Sequence, residues 1–162
     1  MAQLEYKDIR AEDRIVLGNA LSSMHIKEPS LYYGLVEEPV KPRDGRAIIL
    51  EQFLRGKGTY LADYADLIIS VSDAYGVSYK LLVAIAGVES GYCRVNFKPY
   101  NCWGYGSVSW PSPEAAIHGY MQMMYKGYFS RGATTPATIA SPYNPNPDQY
   151  LQKLLLHYNT IP

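Results

Sequence analysis

A glutamate stands at the end of the most apolar stretch of the sequence. Residues 83–92 have the sequence VAIAGVESGY, which puts Glu89 in the last turn of a predicted helix, directly before Ser90 and Gly91. A charged carboxylate is disfavoured there twice, because a helix C-terminus carries partial negative charge and because burial penalises the anion. Both effects predict a raised pKa for Glu89. A carboxyl that stays protonated near neutral pH is what a general acid needs.

The segment that follows Glu89 is rich in turn-forming and aromatic residues. Residues 95–111, VNFKPYNCWGYGSVSWP, predict loops or a short hairpin and no helix. The chain has sixteen tyrosines. A flat ring with a hydroxyl group is suited to binding polar rings. Most of them are expected to pack in or near the core. The candidates for binding are those in turn-rich segments: Tyr92, Tyr100, Tyr105 and Tyr143.

Two cysteines, Cys93 and Cys102, bracket the first part of this segment. A disulfide between them would close a short loop and stabilise the fold by about 2–3 kcal/mol. The alternative is a pair of free buried thiols in a reducing compartment. The three histidines, His25, His118 and His157, show no ligand spacing, so the sequence predicts no metal site.

The length, net charge and apolar runs of the sequence limit the classes of protein to which it can belong. A chain of 162 residues suits one globular domain with a small appendage. Lys and Arg total 15 and so do Asp and Glu, which leaves no net field to attract nucleic acid or anionic lipid. The longest apolar run, residues 81–88, is too short to span a bilayer, and residues 1–14 do not resemble a signal peptide. We therefore expect a soluble domain that does not bind nucleic acid.

Helix signals begin at residue 46. We predict an extension or linker over 1–45, with a helix-compatible stretch at 11–24, and a mainly α domain over 46–162. Residues 46–54 place four apolar side chains on one face of a helix that ends at 56–58. They are Ile48, Ile49, Phe53 and Leu54.

Further start and stop signals place the remaining helices. Residues 60–76 predict a helix with Gly76 at its C-terminal end, and Ser78 caps the apolar helix that carries Glu89. Three later helices are predicted to follow Ser112-Pro113, the Thr-Pro pair of 134–140, and Asn146-Pro147.

The ordered set of these segments resembles the lysozyme-like enzymes that cleave peptidoglycan. AIAGVESGY followed by YNCWGYG is similar to the core of the lytic transglycosylase and glucosaminidase branches, where a helix delivers Glu-Ser into the cleft before an Asn-x-aromatic-Gly turn. The two helices before Glu89, PSPEAAIHGY and TIASPYNPNPDQYLQKL extend the similarity over about 46–160. The resemblance implies a lysozyme-like fold with at most a small hairpin.

The implied activity is cleavage of the β-1,4 linkage between N-acetylmuramic acid and N-acetylglucosamine, with Glu89 as general acid. Tyr143 matches the cleft tyrosine of these families, which implies a second catalytic residue whose hydroxyl lies near the acid or the oxocarbenium-like sugar, with simple packing as the alternative. Ser90 either supports the Glu89 carboxyl or caps the helix end. Tyr92 and Tyr105 are grouped with the substrate-binding candidates.

Two further candidates each have a structural alternative. Asn101 either binds a sugar N-acetyl group or holds its own turn. Trp103 is either a sugar platform or a core residue.

The number of catalytic carboxyl groups helps to distinguish transglycosylation from hydrolysis. Glu114 and Asp148 are the only later candidates for a second carboxylate, and both lie in first helical turns, where dipole stabilisation explains them. A single acid favours transglycosylation, in which the C6 hydroxyl of the muramic sugar attacks and leaves a 1,6-anhydro product. A hydrolytic glucosaminidase or muramidase, and a non-catalytic wall-binding module, are the alternatives.

The implied partner is the peptidoglycan glycan strand, with no cofactor. Since peptidoglycan lies outside the bacterial cytoplasm, a periplasmic, cell-surface or phage-borne location is expected, and a disulfide agrees with it. A membrane anchor or a larger assembly through segments outside this sequence is left open, as is the oligomeric state.

Overall fold

A computed structural model describes residues 42–162 of the chain. Within them, Arg43–Pro162 form one compact unit. The predicted extension 1–45 falls almost wholly outside the described residues, and so does the helix expected over 11–24.

The described part of the chain is built from helices, which confirms the mainly α prediction. No strand occurs in residues 42–162, so the hairpin considered for 95–111 is not formed and that segment consists of turns. The α-helices are α1 (Gly45–Gly56), α2 (Ala65–Ala74), α3 (Tyr79–Ser90), α4 (Pro113–Gly127), α5 (Pro136–Tyr143) and α6 (Pro147–Tyr158), with 3₁₀ helices at Tyr60–Tyr64 and Phe129–Arg131.

Helix α3 is the buried centre of the unit. Every residue from 81 to 87 is buried, as its apolar sequence predicts. The helix stops at Gly91, which adopts a left-handed conformation with φ +58°, and the Tyr92 amide N–H donates back to the Ala86 carbonyl at 2.9 Å. This glycine-terminated end fixes Glu89 in the last turn of α3, where the sequence placed it.

Helix α1 buries a different face from the one predicted. Ala47, Leu50 and Leu54 are fully buried, whereas Ile48 and Ile49 are 40% and 50% exposed. The buried residues recur at intervals of three and four, and this stripe, which includes the small Ala47, is the one that meets the core. The predicted grouping of Ile48 and Ile49 with Leu54 is therefore wrong.

Helix α6 packs closely on α3 where α3 has a glycine. A methyl group at position 87 would lie 2.6 Å from His157 Nδ1 and 3.0 Å from a ring carbon of Tyr92. The same His157 nitrogen is 2.7 Å from the Tyr92 hydroxyl. The absence of a side chain at Gly87 is thus what allows α6 to approach the helix that carries Glu89.

In residues 42–162, no helix combines the length and the apolar character that crossing a bilayer demands.

The contact at Gly87 gives a stability prediction. We expect Gly87→Ala to lower the free energy of unfolding by about 1–3 kcal/mol, because the methyl group overpacks the α3–α6 contact. Gly56→Ala is the matched control, since Gly56 also lies in a helix but has nothing within 4 Å of the added methyl group. Urea unfolding of both variants measures the difference. Equal stability of the two variants would contradict the close contact.

Candidate active site

The Glu89 carboxyl lies against the backbone of Gly104. A methyl group at position 104 would be only 2.5 Å from Glu89 Oε2 and 3.1 Å from its Cδ. Gly104 also has φ +63°, a conformation that residues with a Cβ adopt at a cost. Position 104 therefore requires glycine for two reasons, and one of them is the space that the Glu89 side chain occupies.

Helix α6 supplies the polar neighbours of Glu89. The Tyr150 side chain is 4% exposed, and its buried hydroxyl has no hydrogen-bond partner of good geometry among the described residues. It nevertheless lies close enough to the Glu89 carboxyl to favour the charged form, and the Lys153 ammonium acts in the same direction. Sequence reasoning missed both residues, although their i, i+3 spacing puts them on one face of a predicted helix.

The pKa of Glu89 is raised, as the sequence predicts. Burial is the main cause, and it outweighs the opposing effects of the Tyr150 hydroxyl and the Lys153 ammonium. The environment is less enclosed than expected, because Glu89 is an exposed residue. The carboxyl is thus partly desolvated and still accessible from outside.

Tyr143 lies next to this site with its hydroxyl already engaged. Tyr143 Oη donates to the Trp103 carbonyl at 2.8 Å and lies 3.0 Å from Tyr120 Oη. Burial raises the pKa of Tyr143, and the neighbouring Glu89 charge adds to the rise. The hydroxyl anchors the turn that presents Gly104, so Tyr143 has a positioning role in this arrangement.

The Asn101 side chain holds the turn that contains Gly104. Asn101 is 4% exposed, and its amide lies 3.1 Å from the carbonyls of both Tyr105 and Val108, while its oxygen accepts from the Tyr105 N–H at 3.0 Å. These bonds occupy both ends of the amide. In this structure Asn101 holds its own turn, and a contact with a sugar N-acetyl group stays a prediction.

Ser90 and the disulfide fix the two ends of the loop next to Glu89. The predicted disulfide Cys93–Cys102 is present, with Cα atoms 4.6 Å apart. Ser90 Oγ lies 2.6 Å from the Cys102 carbonyl and accepts from the Cys93 N–H at 2.8 Å. Ser90 is 6% exposed, so it ties this loop to α3, and its hydroxyl is engaged by these backbone groups.

Two aromatic residues predicted to contact sugar belong to the core. Trp103 is 1% exposed, donates its indole N–H to the Leu82 carbonyl at 3.0 Å and stacks on Tyr120 with ring centroids 4.6 Å apart. Tyr92 is 4% exposed and hydrogen-bonds His157. Large rings beside α3 gain more from burial than from exposure, and a core position is the alternative that the sequence left open for Trp103.

Other aromatics remain accessible near the site. Tyr105 follows Gly104 directly and is only partly buried, with its ring 6.2 Å from that of Tyr120. On the disulfide-closed loop, Phe97 is 86% exposed and Val95 is 78% exposed. Of the predicted sugar contacts, Tyr105 is the one whose position next to Glu89 and whose exposure both fit.

The other two carboxylates do not join Glu89. Glu114 lies at the start of α4, where its own backbone N–H and the Ser112 hydroxyl lower its pKa. Asp148 lies in the first turn of α6. None of the groups that shift the pKa of Glu89 is a carboxylate. No group of three or more His, Cys, Asp or Glu residues within 42–162 is arranged to hold a metal ion.

A cavity of about 290 Å³ opens beside the site and does not include Glu89. It lies between the end of α4, the 3₁₀ helix Phe129–Arg131 and α5, and Tyr128 and Arg131 contribute to its lining. The Tyr128 ring lies 5.6 Å from that of Tyr143, which lies 5.5 Å from that of Tyr150. A row of three tyrosines thus connects the cavity with the surroundings of Glu89.

Comparison with protein-family profiles, with characterised proteins and with solved structures finds no significant match. The assignment of a function therefore rests on the chemistry of the residues around Glu89.

The contact between Glu89 and Gly104 can be tested with two glycines of the same turn. We expect Gly104→Ala to push the carboxyl towards solvent and so to lower the pKa of Glu89 towards its ordinary value. Gly106→Ala is the control, since Gly106 also has a positive φ of +52° but nothing within 4 Å of an added methyl group. NMR titration of the Glu89 carboxyl carbon measures the effect. A similar pKa in both variants would show that Gly104 does not shape the site.

The influence of Tyr150 has a defined sign. Because its hydroxyl favours the Glu89 carboxylate, we expect Tyr150→Phe to raise the pKa of Glu89 further. Tyr158→Phe is the control on the same helix, since that hydroxyl meets Ser78 at 3.4 Å and not Glu89. The same titration checks the prediction, and an unchanged or lowered pKa in Tyr150→Phe would refute it.

Proposed function

We propose that this chain cleaves the glycan backbone of peptidoglycan, with Glu89 as its general acid on a lysozyme-like helical domain. The proposal rests on the pKa and the exposure of one side chain, Glu89. Glu89 combines a pKa raised by burial with an open face, at the end of a buried helix and against a glycine turn. A general acid must hold its proton at working pH and also reach the substrate, and these properties meet both needs.

Proton transfer starts from protonated Glu89. The carboxyl donates its proton to the oxygen that bridges the two sugars, the C1–O bond breaks, and positive charge develops on the muramic ring. Glu89 is then a carboxylate, which the Tyr150 hydroxyl and the Lys153 ammonium stabilise. The same two groups that oppose the raised pKa in the free protein thus favour the product of proton transfer.

The second half of the reaction favours transglycosylation. The C6 hydroxyl of the muramic sugar attacks C1, its proton returns to the Glu89 carboxylate, and a 1,6-anhydro end is formed. This route requires no second carboxylate, and the groups that influence Glu89 include none. Hydrolysis on the same site would bring in water and leave an end that is heavier by one water.

A wall-binding module without turnover is the second candidate. One observation favours it: the cavity of about 290 Å³ beside the site is lined by residues at the end of α4, in the following 3₁₀ helix and in α5, and not by Glu89. In that case glycan would bind across the same surface with no bond cleavage.

An extracytoplasmic location belongs to the proposal. Cys93–Cys102 is a disulfide, and disulfides persist in oxidising compartments such as the periplasm and cell surface. Peptidoglycan occupies the same compartments.

The catalytic proposal is tested with purified peptidoglycan. We expect the wild-type protein to reduce its turbidity and to release anhydro-muropeptides by mass spectrometry, and Glu89→Gln to abolish both because an amide cannot donate the proton. Glu114→Gln is the control, since that carboxylate lies at the start of α4. Equal lysis by Glu89→Gln would refute the acid role. Binding without lysis by the wild type would favour the module.

The variants Glu89→Gln and Glu114→Gln should differ in thermal stability. Folding raises the pKa of Glu89, so its favourable contribution is present below the unfolded pKa and is lost as pH rises through the folded pKa. Folding lowers the pKa of Glu114, so its contribution is present at neutral pH. At pH 7 we expect the Tm of Glu89→Gln to equal or exceed that of the wild type and the Tm of Glu114→Gln to fall, measured by calorimetry. The reverse order would contradict both assignments.

A further inference from the structure

The disulfide-closed loop 93–102 exposes two large apolar side chains. Phe97 is 86% exposed and Val95 is 78% exposed, which makes them the two most exposed large apolar residues within 42–162. Between them, the partly buried Asn96 donates its side-chain amide to the Cys93 carbonyl at 3.3 Å. An aromatic ring that is 86% exposed has almost no protein beside it, so Val95 and Phe97 form a protruding apolar tip on this loop.

The backbone of the loop is held in place on both sides of the apolar tip. The disulfide closes the two ends of the loop, and the Val95 N–H donates to the Ser90 carbonyl at 3.1 Å. After the tip, the Trp110 N–H donates to the Pro99 carbonyl at 3.1 Å. The tip therefore has little freedom to fold back onto the domain. A pre-organised segment also loses little conformational entropy when it docks, which favours binding through this loop.

Two cations lie beside the apolar tip, one on each side in the sequence. They are Arg94 and Lys98, and the loop contains neither Asp nor Glu. The Lys98 ammonium lies 5.2 Å from the centroid of the Phe97 ring. Neither cation forms an ion pair with any of residues 42–162. The loop is thus apolar at its tip and positive next to it, although the net charge of the whole chain is zero.

This combination matches the chemistry of an anionic lipid bilayer. Apolar side chains gain free energy when they leave water for the acyl region, and cations beside them remain at the level of the lipid phosphates. A fluid bilayer closes around a protruding tip of any shape, whereas a protein partner would need a pocket that fits it. The Lys98 ammonium is close enough to the Phe97 ring to reach a phosphate while the ring enters the bilayer.

We propose that the loop 93–102 docks on anionic lipid bilayers, with its apolar tip inserted below the headgroups and with Arg94 and Lys98 beside the lipid phosphates. The inference does not rest on the proposed function, because it follows from the exposure and the charge of the loop. Since the loop begins directly after α3, docking would also fix the orientation of that helix relative to the bilayer.

The insertion of the apolar tip is tested by co-sedimentation of the full chain with lipid vesicles. Equimolar phosphatidylcholine and phosphatidylglycerol supply an anionic surface, and phosphatidylcholine alone supplies a neutral one. We expect binding to the anionic vesicles that weakens about tenfold or more in Phe97→Ser, because the ring that enters the bilayer is lost. Leu156→Ser is the matched control and should bind as the wild type does, since Leu156 is 72% exposed on α6, outside the loop.

The role of the cations is tested with the same two kinds of vesicle. Lys98→Gln should weaken binding to the anionic vesicles about fivefold, because that is the contribution of one cation near an anionic leaflet. The same variant should bind neutral vesicles as the wild type does. Lys126→Gln is the control, since it removes the same charge from the last turn of α4.

Three vesicle results would overturn the proposal. They are no binding to the anionic vesicles, equal binding by the wild type and Phe97→Ser, and equal binding of the wild type to anionic and neutral vesicles. Dimerisation of the wild type that Phe97→Ser abolishes, measured by analytical ultracentrifugation, would assign the tip to a second copy of this chain and would also overturn the proposal. None of these results bears on the role of Glu89, because no glycan takes part in the measurements.

Discussion

The contact between the Glu89 carboxyl and the Gly104 backbone is the constraint on which the site depends. It removes part of the carboxyl from water and so raises its pKa, and any side chain at position 104 would occupy the same space. Several features of the fold serve to hold these two residues together. Gly91 ends α3 directly after Glu89, and Asn101 and Tyr143 hold the turn in which Gly104 lies.

The environment of Glu89 balances opposing effects. Burial favours the neutral carboxyl, whereas the Tyr150 hydroxyl and the Lys153 ammonium favour the anion. A site with burial alone would hold the proton and resist releasing it, and a site with the two polar groups alone would lose it at neutral pH. The two polar groups reach Glu89 because α6 packs against α3, which the missing side chain of Gly87 allows, whereas the contact with Gly104 contributes to the burial. The pKa of Glu89 therefore depends on both contacts.

The aromatic residues divide according to what their polar atoms can reach. Trp103 and Tyr143 find backbone carbonyls at 3.0 and 2.8 Å and are drawn into the interior. Tyr105 has no such partner among residues 42–162 and stays partly exposed beside Gly104. Tyr150 and Trp110 are exceptions, because each has a buried polar atom without a hydrogen-bond partner among the described residues, and Tyr150 is the one that faces Glu89. A buried donor without a good partner is costly, which is consistent with a role towards the acid or its substrate.

Local signals in the sequence determined the helices and the position of the acid. Ser112-Pro113 starts a helix, Gly91 ends one, and Cys93 and Cys102 form a disulfide at their short spacing, all because these features depend on neighbouring residues. Tertiary packing decided which side chains face outwards. Ile48 and Trp103 could each have met solvent or core, and only the approach of other elements settled the choice. Tyr150 and Lys153 stand more than sixty residues beyond Glu89, so their meeting with it depends on long-range packing that no local pattern encodes.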